Sequence, residues 1–119
     1  MREEAKEWLE RAKRDLEAAR YDYEGDLYEV AAFFCQQSSE KALKALYIEK
    51  FGELVKTHDL HFPARKLDAP DRIQDICGEL TTYYTESRYP GIYAQFNKET
   101  AAAALKKAEL VVKWAREKI

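Results

Sequence analysis

The stretch Phe33-Phe34-Cys35-Gln36-Gln37-Ser38-Ser39-Glu40-Lys41-Ala42-Leu43-Lys44-Ala45-Leu46-Tyr47 constrains this chain most. Read at about 100° per residue, it is a helix with two apolar faces. Phe34, Cys35, Ser38, Ala42, Ala45 and Leu46 form the broad face, which Ala31 extends backward. Phe33, Leu43, Tyr47 and Phe51 form a second stripe on the other side. Gln37, Lys41 and Lys44 fall in the seam between them. A helix that is apolar on two sides is packed on two sides, so this one is expected at the centre of the fold. Polar groups in such a seam are partly screened from water, and a buried charge is costly unless it finds a partner. Either the lysines run their stems out to solvent or the seam serves a function.

The chain has 119 residues, enough for one domain over 1–119 that buries about two thirds of its unfolded surface. It is 46% hydrophobic and 35% charged, which excludes general disorder. Four glycines and three prolines are few, and favour long regular elements. A net charge of −2 forces neither a nucleic-acid nor a membrane partner, though a local basic site is compatible with it. The apolar runs are too short for a membrane span, and Met1-Arg2-Glu3-Glu4-Ala5-Lys6 lacks the apolar region of a secretion signal. The cytoplasm is therefore the expected compartment, with Cys35 and Cys77 as small buried hydrophobes rather than a disulfide. Two cysteines and two histidines without CxxC or HExxH spacing predict no metal site, and no cofactor motif is seen.

In the first helix, about Glu3 to Tyr23, Ala5, Trp8, Leu9, Ala12, Leu16 and Ala19 form the stripe. Gly25 is expected to end it, and Asp26 with Glu29 reads as a capping box for the next. So short a link makes the two helices antiparallel neighbours. The second runs from about Leu27 to Phe51 and stops at Gly52. After a loop from Glu53, Thr57-His58-Asp59-Leu60 opens a short helix, with Pro63 near its first turn. Asp68-Ala69-Pro70-Asp71 starts a third long helix, with Pro70 at its first position, which reaches about Ser87 on the stripe Ile73, Ile76, Cys77, Leu80 and Tyr84. Pro90 and Gly91 break the chain. Asn97 or Thr100 caps the last helix, which buries Ala101, Ala104, Leu105, Ala108, Val111, Val112 and Ala115 and ends near Lys118. The expectation is an all-α fold, an up-and-down antiparallel four-helix bundle with one extra short helix.

Three further features can carry chemistry. His58 is a titrating base, an anion ligand or a loop staple. Arg88, beside the turn, either forks onto a phosphate or carboxylate or serves as a helix C-terminal cation. Tyr83, Tyr84, Tyr89 and Tyr93 cluster at the same break, where they stack on bases or cover a core edge or subunit interface.

Gln36-Gln37 … Glu40-Lys41-Ala42-Leu43-Lys44-Ala45, then Thr57-His58-Asp59-Leu60, then Ser87-Arg88-Tyr89-Pro90, together resemble the HEPN domain (higher eukaryotes and prokaryotes nucleotide-binding) over essentially the whole chain. The resemblance implies a helical bundle like the substrate-binding domain of some nucleotidyltransferases. It implies a minimal nucleotidyltransferase as partner in a toxin–antitoxin-like pair, and a homodimer. Many such proteins are ribonucleases that use an arginine followed four to six residues later by a histidine. Here those positions after Arg88 hold Tyr93, Ala94 and Gln95, and no other arginine has a histidine at that spacing. A tyrosine, with an ordinary pKa of about 10, is a poor proton-transfer group near neutrality. The reading is therefore a non-catalytic module that binds a nucleotide or RNA phosphate through Gln37, Lys41, Lys44, His58, Arg88 and Tyr89. Two alternatives stay open: a diverged ribonuclease using His58 and Arg88, and a purely structural bundle whose seam lysines pair with Glu40, Asp59 or other acids.

Overall fold

The computed structural model describes residues 1–92 and 95–119. Its organising element is helix α2, Tyr28–Phe51, which packs between α1, Glu3–Glu24, and α6, Lys98–Lys118. The two-sided apolar pattern of α2 is the cause. Leu43, Ala42, Ala45 and Cys35 are fully buried, although they point to different sides of one helix. The third side of α2 meets α3, His61–Lys66; α4, Asp71–Thr81; and α5, Tyr83–Glu86. Among the described residues there is no strand. The chain runs up α1, down α2, up α4–α5 and down α6, with α3 as the short extra helix.

Side-chain pairs fix these directions. Asp15 meets Lys41, and Arg2 meets Glu49, so α1 and α2 are antiparallel. Glu79 meets Lys107, and Tyr83 meets Phe96, so α4–α5 and the run into α6 are antiparallel. The expected stripe of α6 is buried in full, from Ala101 to Ala115. That of α1 is buried at Ala5, Leu9, Ala12, Leu16 and Ala19, while Trp8 lies half-buried at its edge. Small residues on both helices allow close approach to α2. Cys35 and Cys77 are both free and buried, and desolvation pushes each thiol up to about 12.

Several helix ends differ from expectation. Helix α1 does end at Gly25, but at an ordinary φ of −86°; the left-handed residue is the next one, Asp26, at φ 64°. The Asp26 N–H donates to the Tyr23 carbonyl and the Leu27 N–H to the Asp22 carbonyl, at 3.1 and 2.9 Å. That is a Schellman ending, not a capping box. The Asp26 carboxylate accepts from the Tyr28 hydroxyl at 2.9 Å, and α2 starts without a side-chain cap. The same ending recurs after α3, where Asp68 has φ 54°. Gly52 does stop α2, at φ 72°, and Asn97 does cap α6 by accepting from the Thr100 N–H at 2.9 Å.

The short helix begins at His61 rather than Thr57, and Pro70 sits at the N-cap of α4. The expected single helix to Ser87 is split at Thr82. Thr81 and Thr82 donate their hydroxyls to the carbonyls of Cys77 and Glu79, at 2.7 and 3.0 Å. Such back-bonding competes with the helical ladder and bends it.

Candidate functional site

Gln36, Glu40 and Lys44 are four residues apart on α2 and stand in one line. Gln36 is 0% exposed and Glu40 is 5% exposed, so two strongly polar side chains lie inside the bundle. Each finds partners. Glu40 Oε2 accepts from Lys44 Nζ at 2.9 Å. Its Oε1 accepts from Gln36 Nε2 at 3.1 Å and faces His58 Nδ1 at 2.9 Å. Gln36 Nε2 also donates to the His58 carbonyl at 3.0 Å, and Gln36 Oε1 accepts from Gln37 Nε2 at 2.7 Å. No buried side-chain nitrogen or oxygen among the described residues is left without a partner. Burial alone would raise the Glu40 pKa. Hydrogen bonds from Lys44, His58 and Gln36, with the Lys44 charge, outweigh it and hold the carboxyl below its ordinary value.

This buried line anchors the loop between α2 and α3. The loop is tied down again at Leu60, whose N–H donates to Thr81 Oγ1 at 3.0 Å and whose side chain is fully buried. His58 is thereby presented at the surface with its side chain about half exposed. Its ring stacks on Tyr84, with centroids 3.9 Å apart and planes 14° apart. Arg88 reaches the same tyrosine from the turn after α5. Its guanidinium carbon lies 4.3 Å from the Tyr84 centroid and 5.3 Å from that of Phe33. Arg88 Nε donates to the Tyr84 carbonyl at 2.7 Å, which is the helix C-terminal role a cation favours there. Its two Nη groups have no acidic partner among the described residues. Exposed Tyr89 lines a concavity of about 280 Å³ with Thr85, Arg88 and Pro90.

The fold therefore sets His58 and Arg88 each against the Tyr84 ring, while Lys44 and Gln37 connect to His58 through Glu40 and Gln36. Lys44 Nζ is held by Glu40 and lies 5.1 Å over the Trp8 ring. Gln37 fixes the Gln36 amide. Lys41 turns to α1, where it pairs with Asp15 in a separate depression lined by Glu10, Arg11 and Arg14. The two seam lysines are thus each neutralised by an acid and do not form one open cationic cleft with Arg88. Tyr93, counted in the tyrosine cluster and at the missing histidine's place, lies outside the described residues, as does Ala94. Among the described residues no three His, Cys, Asp or Glu side chains gather as a metal site requires.

Sequence reasoning did not place Gln36 or Glu40 in the site. The available signal was their spacing: acid and amide four apart, with lysine four further on, inside an otherwise apolar helix.

An HEPN domain family model matches residues 5–118. No curated protein matches the chain. Three solved structures share the fold. TT1696 from Thermus thermophilus is 26% identical, with a TM-score of 0.93, over 99% of this chain and 100% of that one. ST0689, an archaeal HEPN homologue, is 29% identical, with a TM-score of 0.84, over 98% of each chain. An HEPN domain protein of Thermotoga maritima, tm0613, is 24% identical, with a TM-score of 0.77, over 93% of this chain and 95% of that one.

Proposed function

The chain belongs to the HEPN domain family, and from that premise we propose that it binds a nucleotide or RNA phosphate through His58 and Arg88 beside Tyr84, without cleaving it. The observation that carries this reading is the Arg88 guanidinium. It lies 4.3 and 5.3 Å from two ring centroids with no acidic partner for its Nη groups among the described residues, and the His58 imidazole packs on the same tyrosine. A planar, permanently charged fork suits phosphate oxygens, and exposed Tyr89 beside it offers a face for a base. Lys41 and Lys44 leave the contact set, because Asp15 and Glu40 already occupy them. Gln37 acts from behind, through Gln36. In the same proposal the protein works in the cytoplasm as a homodimer, beside a minimal nucleotidyltransferase in a toxin–antitoxin-like pair.

Calorimetry with AMP and with a short single-stranded RNA lacking terminal phosphates tests the site. Binding is expected in the wild type. Arg88→Ala is expected to weaken it by about tenfold to a hundredfold, the worth of a charged hydrogen-bonded contact. Lys41→Ala should leave it unchanged. Binding by neither probe, or equal binding by Arg88→Ala, removes this reading.

One observation favours a second reading, a diverged ribonuclease. The Glu40–His58 contact holds an imidazole in a fixed orientation at the surface, as a proton-transfer group requires. Cleavage of the same RNA by pure protein, lost in His58→Ala, would replace the binding-only reading.

A further inference from the structure

Glu40 touches no surface ligand, yet it decides how His58 can meet one. Ionised Glu40 can only accept hydrogen bonds. Its Oε1 lies 2.9 Å from His58 Nδ1, so that ring nitrogen must carry the hydrogen. In neutral His58 the other nitrogen, Nε2, then has a lone pair and no proton. Nδ1 is the nitrogen turned to the buried carboxylate, so Nε2 belongs to the opposite edge of a half-exposed ring. A phosphodiester oxygen also only accepts. Two acceptors cannot bond to each other, so neutral His58 and a phosphate do not fit together.

We infer that Glu40 is the positioning residue of the phosphate site, and that a phosphate group captured by His58 and Arg88 binds together with one proton taken from solvent onto His58 Nε2. This rests on the binding reading above and adds the protonation state of the bound form. The charged and titratable groups around the ring are Glu40 and Lys44 from α2, Tyr84 from α5 and Arg88 from the turn after it. Asp59 is its neighbour in the loop, and His61 opens α3. Lys44 already pairs with Glu40, and Arg88 is a permanent cation, so neither supplies the proton. The Asp59 carboxylate accepts from the His61 backbone N–H at 3.0 Å.

The test is calorimetric titration of the full chain with the same RNA and with AMP, at about pH 8, in buffers of different ionisation enthalpy. There neither phosphate changes its own protonation appreciably. The expected result is net proton uptake approaching about one per bound phosphate. Glu40→Gln puts a donor where the carboxylate had an acceptor, so Lys44, Gln36 and Nδ1 can no longer all be accepted and Nδ1–H is no longer enforced. Uptake in this variant is expected to fall below the wild-type value. Exposed His58→Gln, which donates without titrating, is expected to bind with uptake near zero. Nitrogen shifts of the imidazole report the tautomer directly, with Nδ1–H expected in the wild type and loss of that preference in Glu40→Gln. Binding by the wild type without proton uptake, or with equal uptake in His58→Gln, overturns this inference and leaves the binding site standing. Absence of binding overturns both.

Discussion

At the scale of single residues, the Glu40 carboxylate does most to hold the site in place. It joins α2 to the His58 loop and compensates the Lys44 charge inside the bundle. Its pKa lies below the ordinary value of 4.5. The folded state therefore favours the ionised form, and the stability this contributes is complete above about pH 4.5. That contribution is lost as pH falls through the lower folded value. Glu40→Gln is expected to lower stability at neutral pH by about 1–2 kcal/mol. It should also flatten the fall in urea midpoint between about pH 5 and pH 3. Urea unfolding of both proteins across that range is the check, and parallel curves would deny Glu40 the role. The residues that touch solvent here, His58 and Arg88, were legible in the sequence because each breaks a local pattern. Gln36 was not, and Glu40 only as an acid with which a seam lysine could pair. Buried polar groups in an internally satisfied line look, in one dimension, like residues of an outer face.

At the scale of elements, apolar stripes at helical spacing located α1, α2 and α6 almost to the residue, since burial there follows the 3.6-residue period. What the stripe could not indicate was how elements end. At the break at Thr82 hydroxyls bond back to carbonyls, and the Thr81 hydroxyl also accepts from the Leu60 N–H of another segment. The ends of α1 and α3 fall to aspartates in the left-handed region, where glycine has the lower backbone cost. Asp68 has little to lose there. Its carboxylate is 91% exposed and reaches Lys50 only at 4.0 Å, and it places negative charge beside a helix C-terminus. Asp68→Gly is therefore expected to stabilise the protein by about 0.5–1 kcal/mol, raising Tm by about 2–4 °C. A thermal melt decides it. Asp26→Gly should gain less, because the bond from the Tyr28 hydroxyl is lost.

At the scale of the whole molecule, three helices of 22, 24 and 21 residues make the long axis of a body 39 × 23 × 22 Å. The 11-residue α4 and the two shorter helices lean on it from one side. The site sits where that lighter side meets α2. His58 belongs to the loop leading into it, and Tyr84 and Arg88 follow its bend, while Glu40 and Phe33 belong to the long-helix body. None of the described helices is long and apolar enough to cross a membrane.

Cys35 lies within the three-helix body and Cys77 within α4, each shut away from water and hard to ionise. An alkylating reagent can reach neither until its surroundings come apart, so the rate of labelling times that event. Comparing Cys35→Ala with Cys77→Ala leaves one reporter in each half. Faster modification of the thiol in α4 is expected, because fewer residues must detach to uncover it, whereas identical rates would mean that the two halves open as one. The chain thus carries, unlabelled, a pair of chemical stopwatches for whether the side that holds His58, Tyr84 and Arg88 can come loose while the rest stays folded.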